Sequence, residues 1–370
     1  MVKRLVLIGG GHAHMVTLAN LARFTNKGFE VTVIQPSAYH YYSGMGPGML
    51  SRIYKAEEIR FATRHVVEKQ GGHFVLGKAV TIDPVSRTVT LEDGETLGYD
   101  VLSCNAGSYV PVMGSSPASE NTYSVKPIEK LLEAQSRLLE LAAQRPITVG
   151  IVGGGPSAVE IAGNAWRLLR DYGTHAARIQ VFAGTRLMNR LPEDIRRRAH
   201  QSLSGRGIEI VESSYVKDVQ GRELTLESGE RYALDFIFMA LGVKPSRIFA
   251  ESDLPMGPDG GLLVNEYLQC TRYPEIFGGG DCIYFEKQPL DKVGVYAVRE
   301  NPILWHNLLS YLEEQPLRPF DPGGDYLLIY NMGDGTGILK KKSIVFGGRL
   351  AFIIKDYIDR KFIRTFQAIE

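Results

Sequence analysis

Short apolar runs alternate along the chain with segments whose apolar residues recur every three or four positions. Runs such as residues 5–8 and 147–152 are typical of strands buried on both faces of a parallel sheet, and the spacing over residues 128–144 predicts an amphipathic helix. The order strand, glycine turn, helix, strand occurs twice. This repeat predicts an α/β fold with two Rossmann-like units, each a three-layer (ββα) arrangement around a parallel sheet.

Two segments depart from this alternation. Residues 35–50 are rich in glycine and aromatic side chains, which predicts a loop that is too apolar to be a solvated linker. Residues 350–366 place apolar side chains at steps of four with basic residues on other faces, which predicts an amphipathic helix in a small C-terminal region. The apolar positions are Leu350, Ile354, Ile358, Phe362 and Phe366.

Composition narrows the class of protein. The chain has 370 residues, 44% hydrophobic and 22% charged, as expected for a soluble protein of two or three domains. Its formal net charge of +1 argues against a nucleic-acid partner. The first strand begins almost at the start of the sequence, which leaves no room for a signal peptide, and three scattered cysteines do not suggest a disulfide framework. We therefore expect a cytoplasmic protein.

The first glycine turn, Gly9 to Gly11, follows the first apolar strand. Such a turn lets backbone amides approach a pyrophosphate at a helix N-terminus, so the turn and the helix start behind it are predicted to bind a dinucleotide. His14 replaces the third glycine of the usual motif and either packs the helix start or lies near the phosphates. Gln35 ends the second strand, where an acid usually binds the ribose. The residues predicted to bind here are Gly9, Gly11, His12, Ala13, His14 and Gln35.

The second turn has the G-x-G-x-x-A form, formed by Gly153, Gly155 and Ala158. Ser157 lies at the predicted start of the helix that follows. The following strand ends at Ala183, without the carboxylate that usually binds the NAD ribose. Arg186 could instead bind a 2′-phosphate, which favours NADPH, or be a surface arginine beside a weak nucleotide site. Two such turns in one chain predict two dinucleotides, a flavin and a nicotinamide.

Two carboxylates stand out, and no metal site is predicted. Asp281 follows three glycines at the end of an apolar strand, where it could bind an extended polar chain such as ribityl phosphate; the alternative is a helix N-cap. Glu160 lies one turn into the helix after the second glycine turn. It is the predicted catalytic residue, positioning the nicotinamide or relaying a proton, and its alternative is a surface residue stabilised by the helix dipole.

The order of these motifs resembles that of flavoproteins with two dinucleotide-binding domains, the pyridine nucleotide–disulfide oxidoreductase superfamily, over the whole chain. Residues 105–108 and 240–243 look like its crossover turns, 277–281 like its second FAD motif, and 153–160 like the type II NADH dehydrogenase motif. Residues 9–14, 42–45, 99–103, 294–299 and 355–362 also resemble the branch associated with or fused to selenide, water dikinase.

This resemblance implies an FAD-binding domain over residues 1–115 and 264–332, an NAD(P)H-binding domain over 116–263, and a C-terminal segment over 333–370. Val295 and Tyr296, at a helix start, would stabilise negative charge on the flavin ring. Further residues expected to bind FAD or NAD(P)H are Ser43, Asn105, Ala106, Gly107, Gly242 and Gly280, besides the two turns, Arg186 and Asp281.

The resemblance also implies an activity. Hydride would pass from NAD(P)H to flavin N5, and electrons then to an acceptor, a quinone or another small molecule. Two alternatives stand beside it: a sulfide:quinone-type enzyme without the usual cysteines, and a flavin redox sensor with low turnover.

The C-terminal segment has its own expected role. Residues 338–370 hold eight Lys/Arg against three acids, a net charge of +5. A basic amphipathic helix is typical of proteins on a membrane surface, here the inner face, and equally of a helix docked on the body or on a second copy in a homodimer. A quinone is expected to enter between this helix and the loop at residues 41–49.

Overall fold

Two five-stranded parallel sheets form the centre of the molecule in the computed structural model, which describes residues 2–111 and 120–370. The expected domain boundary between residues 115 and 116 lies outside the described residues. Apolar runs form these strands because both faces of each sheet are covered, so nearly every side chain of the central strands is buried.

Residues 2–111 build most of the first unit. Its strands are β1 (Arg4–Ile8), β2 (Glu30–Gln35), β3 (His40–Tyr41), β4 (Arg60–Phe61), β5 (His73–Leu76), β6 (Ala79–Asp83), β7 (Thr88–Leu91), β8 (Thr96–Gly98), β9 (Val101–Cys104) and β10 (Ser108–Tyr109). Its helices are α1 (Met15–Ala19), α2 (Ala22–Thr25), α3 (Gly46–Leu50) and α4 (Thr63–Lys69), with 3₁₀ helices at His12–His14, Ser43–Met45 and Ala56–Ile59.

Residues 120–254 build the second unit. Its strands are β11 (Thr122–Ser124), β12 (Ile147–Val152), β13 (Ala177–Phe182), β14 (Glu209–Val211), β15 (Val216–Gln220), β16 (Glu223–Leu226), β17 (Arg231–Ala233), β18 (Phe236–Met239) and β19 (Lys244–Pro245). Its helices are α5 (Lys130–Gln144), α6 (Pro156–Tyr172), α7 (Glu193–Ser204) and α8 (Ile248–Glu251).

The remaining residues return to the first unit and then add a C-terminal layer. The strands are β20 (Leu262–Val264), β21 (Ile276–Gly278), β22 (Ile283–Phe285), β23 (Leu328–Asn331), β24 (Gly337–Lys341) and β25 (Ile344–Gly348). The helices are α9 (Gly294–Leu312) and α10 (Arg349–Gln367), with a 3₁₀ helix at Gly280–Cys282.

Strand order explains how distant segments meet. The first sheet has the order β21-β9-β1-β2-β5 and the second β11-β18-β12-β13-β14, with every neighbouring pair parallel. In each sheet the strand before the glycine turn is central, so the turn lies at the carboxyl edge, where ligands of such sheets bind. The predicted α/β fold with two Rossmann-like units is confirmed.

The loop predicted over residues 35–50 is wrong in part, because α3 lies inside it. Pro47 stands in the first turn, where its missing N–H and fixed φ suit a helix. The flanking glycines are needed for packing. A Cβ on Gly48 would lie 2.5 Å from the Tyr54 ring, and a Cβ on Gly46 would lie 3.2 Å from Ile128.

The predicted C-terminal helix is confirmed as α10, but its buried face differs from the apolar row. The face turned to the body holds Ala351, Lys355, Asp359 and Ile363. Among the large apolar residues on the outer side, Leu350, Ile353 and Tyr357 are about 60% exposed. The helix therefore buries an ion pair and leaves an apolar stripe outside.

The second glycine turn yields a test of the fold. Gly153 has φ +136°, and a Cβ there would lie 2.2 Å from the Ala240 carbonyl oxygen, whereas a Cβ on Gly155 meets nothing within 4 Å. We expect Gly153→Ala to lower the free energy of unfolding by at least about 2 kcal/mol, and Gly155→Ala by about 1 kcal/mol or less, in urea unfolding. Equal losses in the two variants would contradict this packing.

Candidate active site

One cavity of about 1250 Å³ runs between the two units. Its wall includes the first glycine turn, the start of α6 and the loop before α5, so both dinucleotide motifs contribute to a single space. The predicted site residues that line it are Gly9, Gly11, His12, Gln35, Ser43, Asn105, Ala106, Gly107, Ser157, Glu160, Gly242, Gly280 and Asp281.

The first turn is packed directly against Asn105 at the end of β9. A Cβ on Gly9 would lie 2.3 Å from the Asn105 carbonyl oxygen, and one on Gly11 would lie 2.2 Å from Asn105 Oδ1. Asn105 Nδ2 donates a hydrogen bond of 2.7 Å to the Gly279 carbonyl oxygen. Asn105 therefore links the first turn to the glycines before Asp281, and a Cβ on Gly9 would collide with its backbone.

The same wall contains polar atoms whose hydrogen-bonding capacity is unmet. Asn105 Oδ1 and His12 Nε2 are buried and have no partner among the described residues. A buried polar group without a partner costs about 1–3 kcal/mol, which a bound molecule can offset. The hydroxyls of a dinucleotide can donate to Asn105 Oδ1, and its phosphate oxygens can accept from the backbone amides of the glycine turn, so the residues present fit an FAD.

His12 lies in a cluster of rings on this wall. Its Nδ1 is 3.2 Å from His40 Nε2, and its ring packs against Tyr42 and Phe362 with centroid distances of 5.1 and 5.8 Å. Burial lowers the pKa of His12 to about 4 and that of His40 to about 3, with Lys126 adding to both shifts. Both rings are therefore neutral at pH 7.

Ala13 and His14 lie behind the turn rather than on the cavity. His14 is fully buried, and its ring nitrogens pair with the Gly9 carbonyl oxygen at 2.6 Å and Ser103 Oγ at 2.8 Å. Ala13 is also fully buried. Of the two alternatives for His14, the contacts favour packing of the helix start: it positions the turn and does not touch the cavity.

Gln35 lines the cavity, but its amide is used within the protein. Oε1 accepts from Gly10 N at 2.9 Å, and Nε2 donates to the Ser37 and Tyr39 carbonyl oxygens. The side chain thus fixes the turn against the end of β2. The bond to a ribose hydroxyl expected from the sequence would have to replace one of these contacts.

Asp281 lies at the wall with a partner that the sequence motifs do not indicate. Lys126 Nζ is 2.7 Å and Ser108 Oγ 2.8 Å from Asp281 Oδ2. Burial opposes ionisation of Asp281, but Lys126 and Ser108 outweigh it and hold the pKa of the carboxyl below its usual range. Lys126 precedes α5, and 155 residues separate it from Asp281, so no local pattern points to the pair.

The second turn contributes to the cavity through α6. Ser157 and Glu160 line the wall, whereas Gly153 and Gly155 do not. Arg186 also lies off the wall: it is exposed and forms an ion pair with Glu193. A 2′-phosphate at Arg186 would therefore compete with a carboxylate for the guanidinium.

Glu160 is held where α6 meets the C-terminal layer. Its Oε1 accepts from the Asn331 amide at 2.8 Å. Burial raises the pKa of Glu160 to about 7, although Lys355 and the Asn331 amide oppose the shift. The carboxyl group is therefore close to half protonated at neutral pH, as suits proton transfer.

A second carboxyl group, that of Glu300 in α9, was not predicted from the sequence. It is 1% exposed and accepts a hydrogen bond from the Gly280 amide, beside Asp281. Burial raises the pKa of Glu300 to about 8.

At the start of the same helix, Gly294 lines the cavity, whereas Val295 and Tyr296 do not. The Tyr296 ring packs on Tyr326.

Contacts join α10 to the loop at residues 41–49. Lys355 Nζ donates to the Gly44 carbonyl oxygen at 2.8 Å and to Asp359 at 2.7 Å, and Tyr42 Oη donates to Asp359 at 3.0 Å. Phe362 packs on Tyr42. Loop and helix thus touch where the sequence suggests a quinone path, so a quinone would have to displace some of these contacts.

The described residues contain no group of three or more His, Cys, Asp or Glu placed to bind a metal ion. No helix within the described ranges is long and apolar enough to cross a membrane. All three cysteines are buried, and Cys282 Sγ contacts the Cys104 and Gly279 carbonyl oxygens, as packing residues do.

The two parallel sheets and the cavity that both units line define a flavoprotein with two dinucleotide-binding units. The chain belongs to the pyridine nucleotide-disulphide oxidoreductase family, whose model matches residues 3–307. It is accordingly an oxidoreductase, and its cofactors are FAD and NAD(P)H.

Similar proteins extend over most of the chain. It is 26% identical over 355 residues to ferroptosis suppressor protein 1 of Taeniopygia guttata, covering 90% of this chain and 88% of that protein. It is 22% identical over 391 residues to a type II NADH:quinone oxidoreductase of Staphylococcus saprophyticus, covering 97% and 94%. The structure of a sulfide:quinone oxidoreductase from Aquifex aeolicus shares the fold, with a TM-score of 0.79, 21% identity and coverage of 100% and 92%.

Glu300 makes stability depend on pH. Its pKa rises from 4.5 to about 8 on folding, so between these values the native state binds more protons and stability falls as pH rises. Glu300→Gln keeps an acceptor for Gly280 but removes this component. Between about pH 5 and about pH 8, the free energy of unfolding measured with urea should fall by about 3 kcal/mol more in the wild type than in the variant. The exposed Glu140→Gln is the control, and equal pH slopes for Glu300→Gln and the wild type would refute the assignment.

Proposed function

We propose that this protein oxidises NAD(P)H through FAD and passes the electrons to a quinone-like acceptor at a membrane surface. The observation that carries the proposal is the single cavity that both units line, with Asp281 on one side and Ser157 and Glu160 on the other. FAD, when bound, accepts a hydride from NAD(P)H and releases two electrons to a second substrate. The chain supplies binding, orientation and proton transfer.

The two units divide the binding. The first turn, Asn105 and Asp281 would hold FAD, since they combine close backbone approach with a buried acceptor and an ionised carboxylate. The start of α6, with Ser157, would hold the nicotinamide nucleotide. NADPH is favoured by Ala183, because no acid stands there to repel a 2′-phosphate. NADH is favoured by the ion pair of Arg186 with Glu193, because the guanidinium is then not free for a 2′-phosphate.

Glu160 would transfer the proton that reduction of a quinone consumes. NAD(P)H provides two electrons and one proton, so the second proton of the hydroquinone must come from the protein or from solvent. The pKa of Glu160, about 7, lets it release and regain a proton at neutral pH. Its neighbour Lys355 joins it to the loop at residues 41–49.

The outer face of α10 supports a membrane surface as the source of the acceptor. Leu350, Ile353 and Tyr357 are about 60% exposed on it, and Lys361 and Arg364, which follow in the same helix, are also exposed. An apolar stripe with flanking cations suits the headgroup region of an anionic bilayer. The buried cysteines argue against the sulfide-oxidising alternative, since a thiol inside the core cannot reach a substrate.

An anaerobic half-reaction experiment tests this function. NADPH or NADH should bleach the absorbance of bound FAD, and a soluble ubiquinone should then restore it. In Glu160→Gln, the rate at which NAD(P)H reduces FAD should stay within about threefold of the wild type. The rate at which quinone reoxidises FAD should fall about 100-fold, because a glutamine cannot carry the proton. Glu140→Gln serves as an exposed control. Bleaching by neither nucleotide would rule out the proposed function and favour a redox sensor, and bleaching by sulfide would favour the sulfide:quinone-type enzyme.

A vesicle assay tests the membrane surface. The wild type should sediment with vesicles containing phosphatidylglycerol, less so in high salt, because cations near an anionic bilayer contribute about 1 kcal/mol each. Ile353→Glu with Tyr357→Glu should weaken this binding about tenfold or more, whereas Val85→Glu, on an 85% exposed valine elsewhere, should not. A dimer that the double substitution dissociates, without vesicle binding, would instead assign this face to a second copy.

A further inference from the structure

Lys126 connects the second unit to the wall of the first. It lies between β11 and α5, and its ammonium group reaches the 3₁₀ helix that holds Asp281 and the strand that holds Ser108. The distances from Nζ are 2.7 Å to Asp281 Oδ2 and 2.9 Å to Ser108 Oγ. A side chain outside the first unit thus completes the wall beside the first glycine turn.

The ammonium group has one donor more than these contacts use. A lysine carries three N–H donors and no acceptor, and two of them are used by Asp281 and Ser108. No other acceptor for Lys126 Nζ occurs among the described residues. The side chain is 26% exposed and lines the cavity, so its third donor has access to a bound molecule.

Charge around the first turn indicates what that molecule offers. Residues 8–14 contain no Lys or Arg, and the rings of His12 and His40 are neutral at pH 7. A diphosphate placed against this turn would therefore lack a nearby cation from the turn itself. Lys126 is close enough to act electrostatically on both histidines, which places its charge near the same part of the wall.

We propose that Lys126 is an FAD-binding residue, donating its third N–H to an oxygen of the ribityl-diphosphate chain while it holds Asp281 and Ser108 in place. A charge-assisted hydrogen bond of this kind is stronger than one between neutral groups. The second unit then contributes to holding the first cofactor as well as the nicotinamide. This inference is independent of the acceptor, because FAD is bound before any substrate.

The alternative is that Lys126 only neutralises Asp281. In that case its loss would weaken the fold around a buried unpaired carboxylate, and FAD would be lost as a consequence. The two roles separate when FAD release and the unfolding temperature are measured on the same variants, the latter with free FAD at the same multiple of each variant's dissociation constant, because equal multiples give equal stabilisation by the cofactor.

The experiment follows FAD fluorescence after dilution of the purified holoprotein, without NAD(P)H or quinone. Lys126→Met should release FAD at least tenfold faster than the wild type, and Lys126→Arg, which keeps charge and donors, should stay within about threefold. Lys130→Met is the matched control, since Lys130 is exposed and pairs with Glu133. Added salt should speed release from the wild type more than from Lys126→Met.

Two results would overturn the proposal. One is release from Lys126→Met at the wild-type rate. The other is faster release that comes with a lowered unfolding temperature at that matched multiple of the dissociation constant and is not rescued by arginine. Because no substrate is present, either result leaves the proposed electron acceptor untouched, and failure of quinone reduction would leave Lys126 untouched.

Discussion

The arrangement of this molecule depends on two places where a strand end meets a glycine turn with no room for a side chain. A Cβ on Gly9 would lie 2.3 Å from the Asn105 carbonyl oxygen, and one on Gly153 would lie 2.2 Å from that of Ala240. Each contact brings a crossover segment against the turn of its own sheet. Helix starts and crossover segments of both units can then line one cavity.

Ionisable groups that are buried or half-buried connect this framework to distant parts of the chain. Lys126 joins Asp281 across the two units, Glu300 accepts from the amide beside Asp281, and Lys355 pairs with Asp359 against the loop at residues 41–49. Such groups are costly to bury unless they are paired or neutral. Their contacts therefore restrict how the units and the C-terminal helix can pack around the cavity.

Local patterns predict the elements but not these connections. The central strands, both turns and the long helices follow from apolar runs and glycine spacing, and Asp281 and Glu160 follow from motifs on single elements. Lys126 and Glu300 gain their roles from residues far away in sequence or on another element. For the same reason, His14 and Gln35 lie at the predicted turn, but their side chains form hydrogen bonds within the protein. Likewise, α10 buries Lys355 at a position where a helical pattern favours an apolar residue.

The central claim is that FAD and NAD(P)H bind in the one cavity that both units line, close enough for hydride transfer between them. Stacking of a nicotinamide on the flavin ring produces a broad long-wavelength charge-transfer absorption, which rapid-mixing spectroscopy detects. We predict that this absorption appears within the mixing experiment as NADPH or NADH bleaches the bound FAD, and that it is lost when the start of α6 is blocked by Ser157→Trp. Bleaching without any such absorption, or absorption unchanged in Ser157→Trp, would contradict a shared cavity.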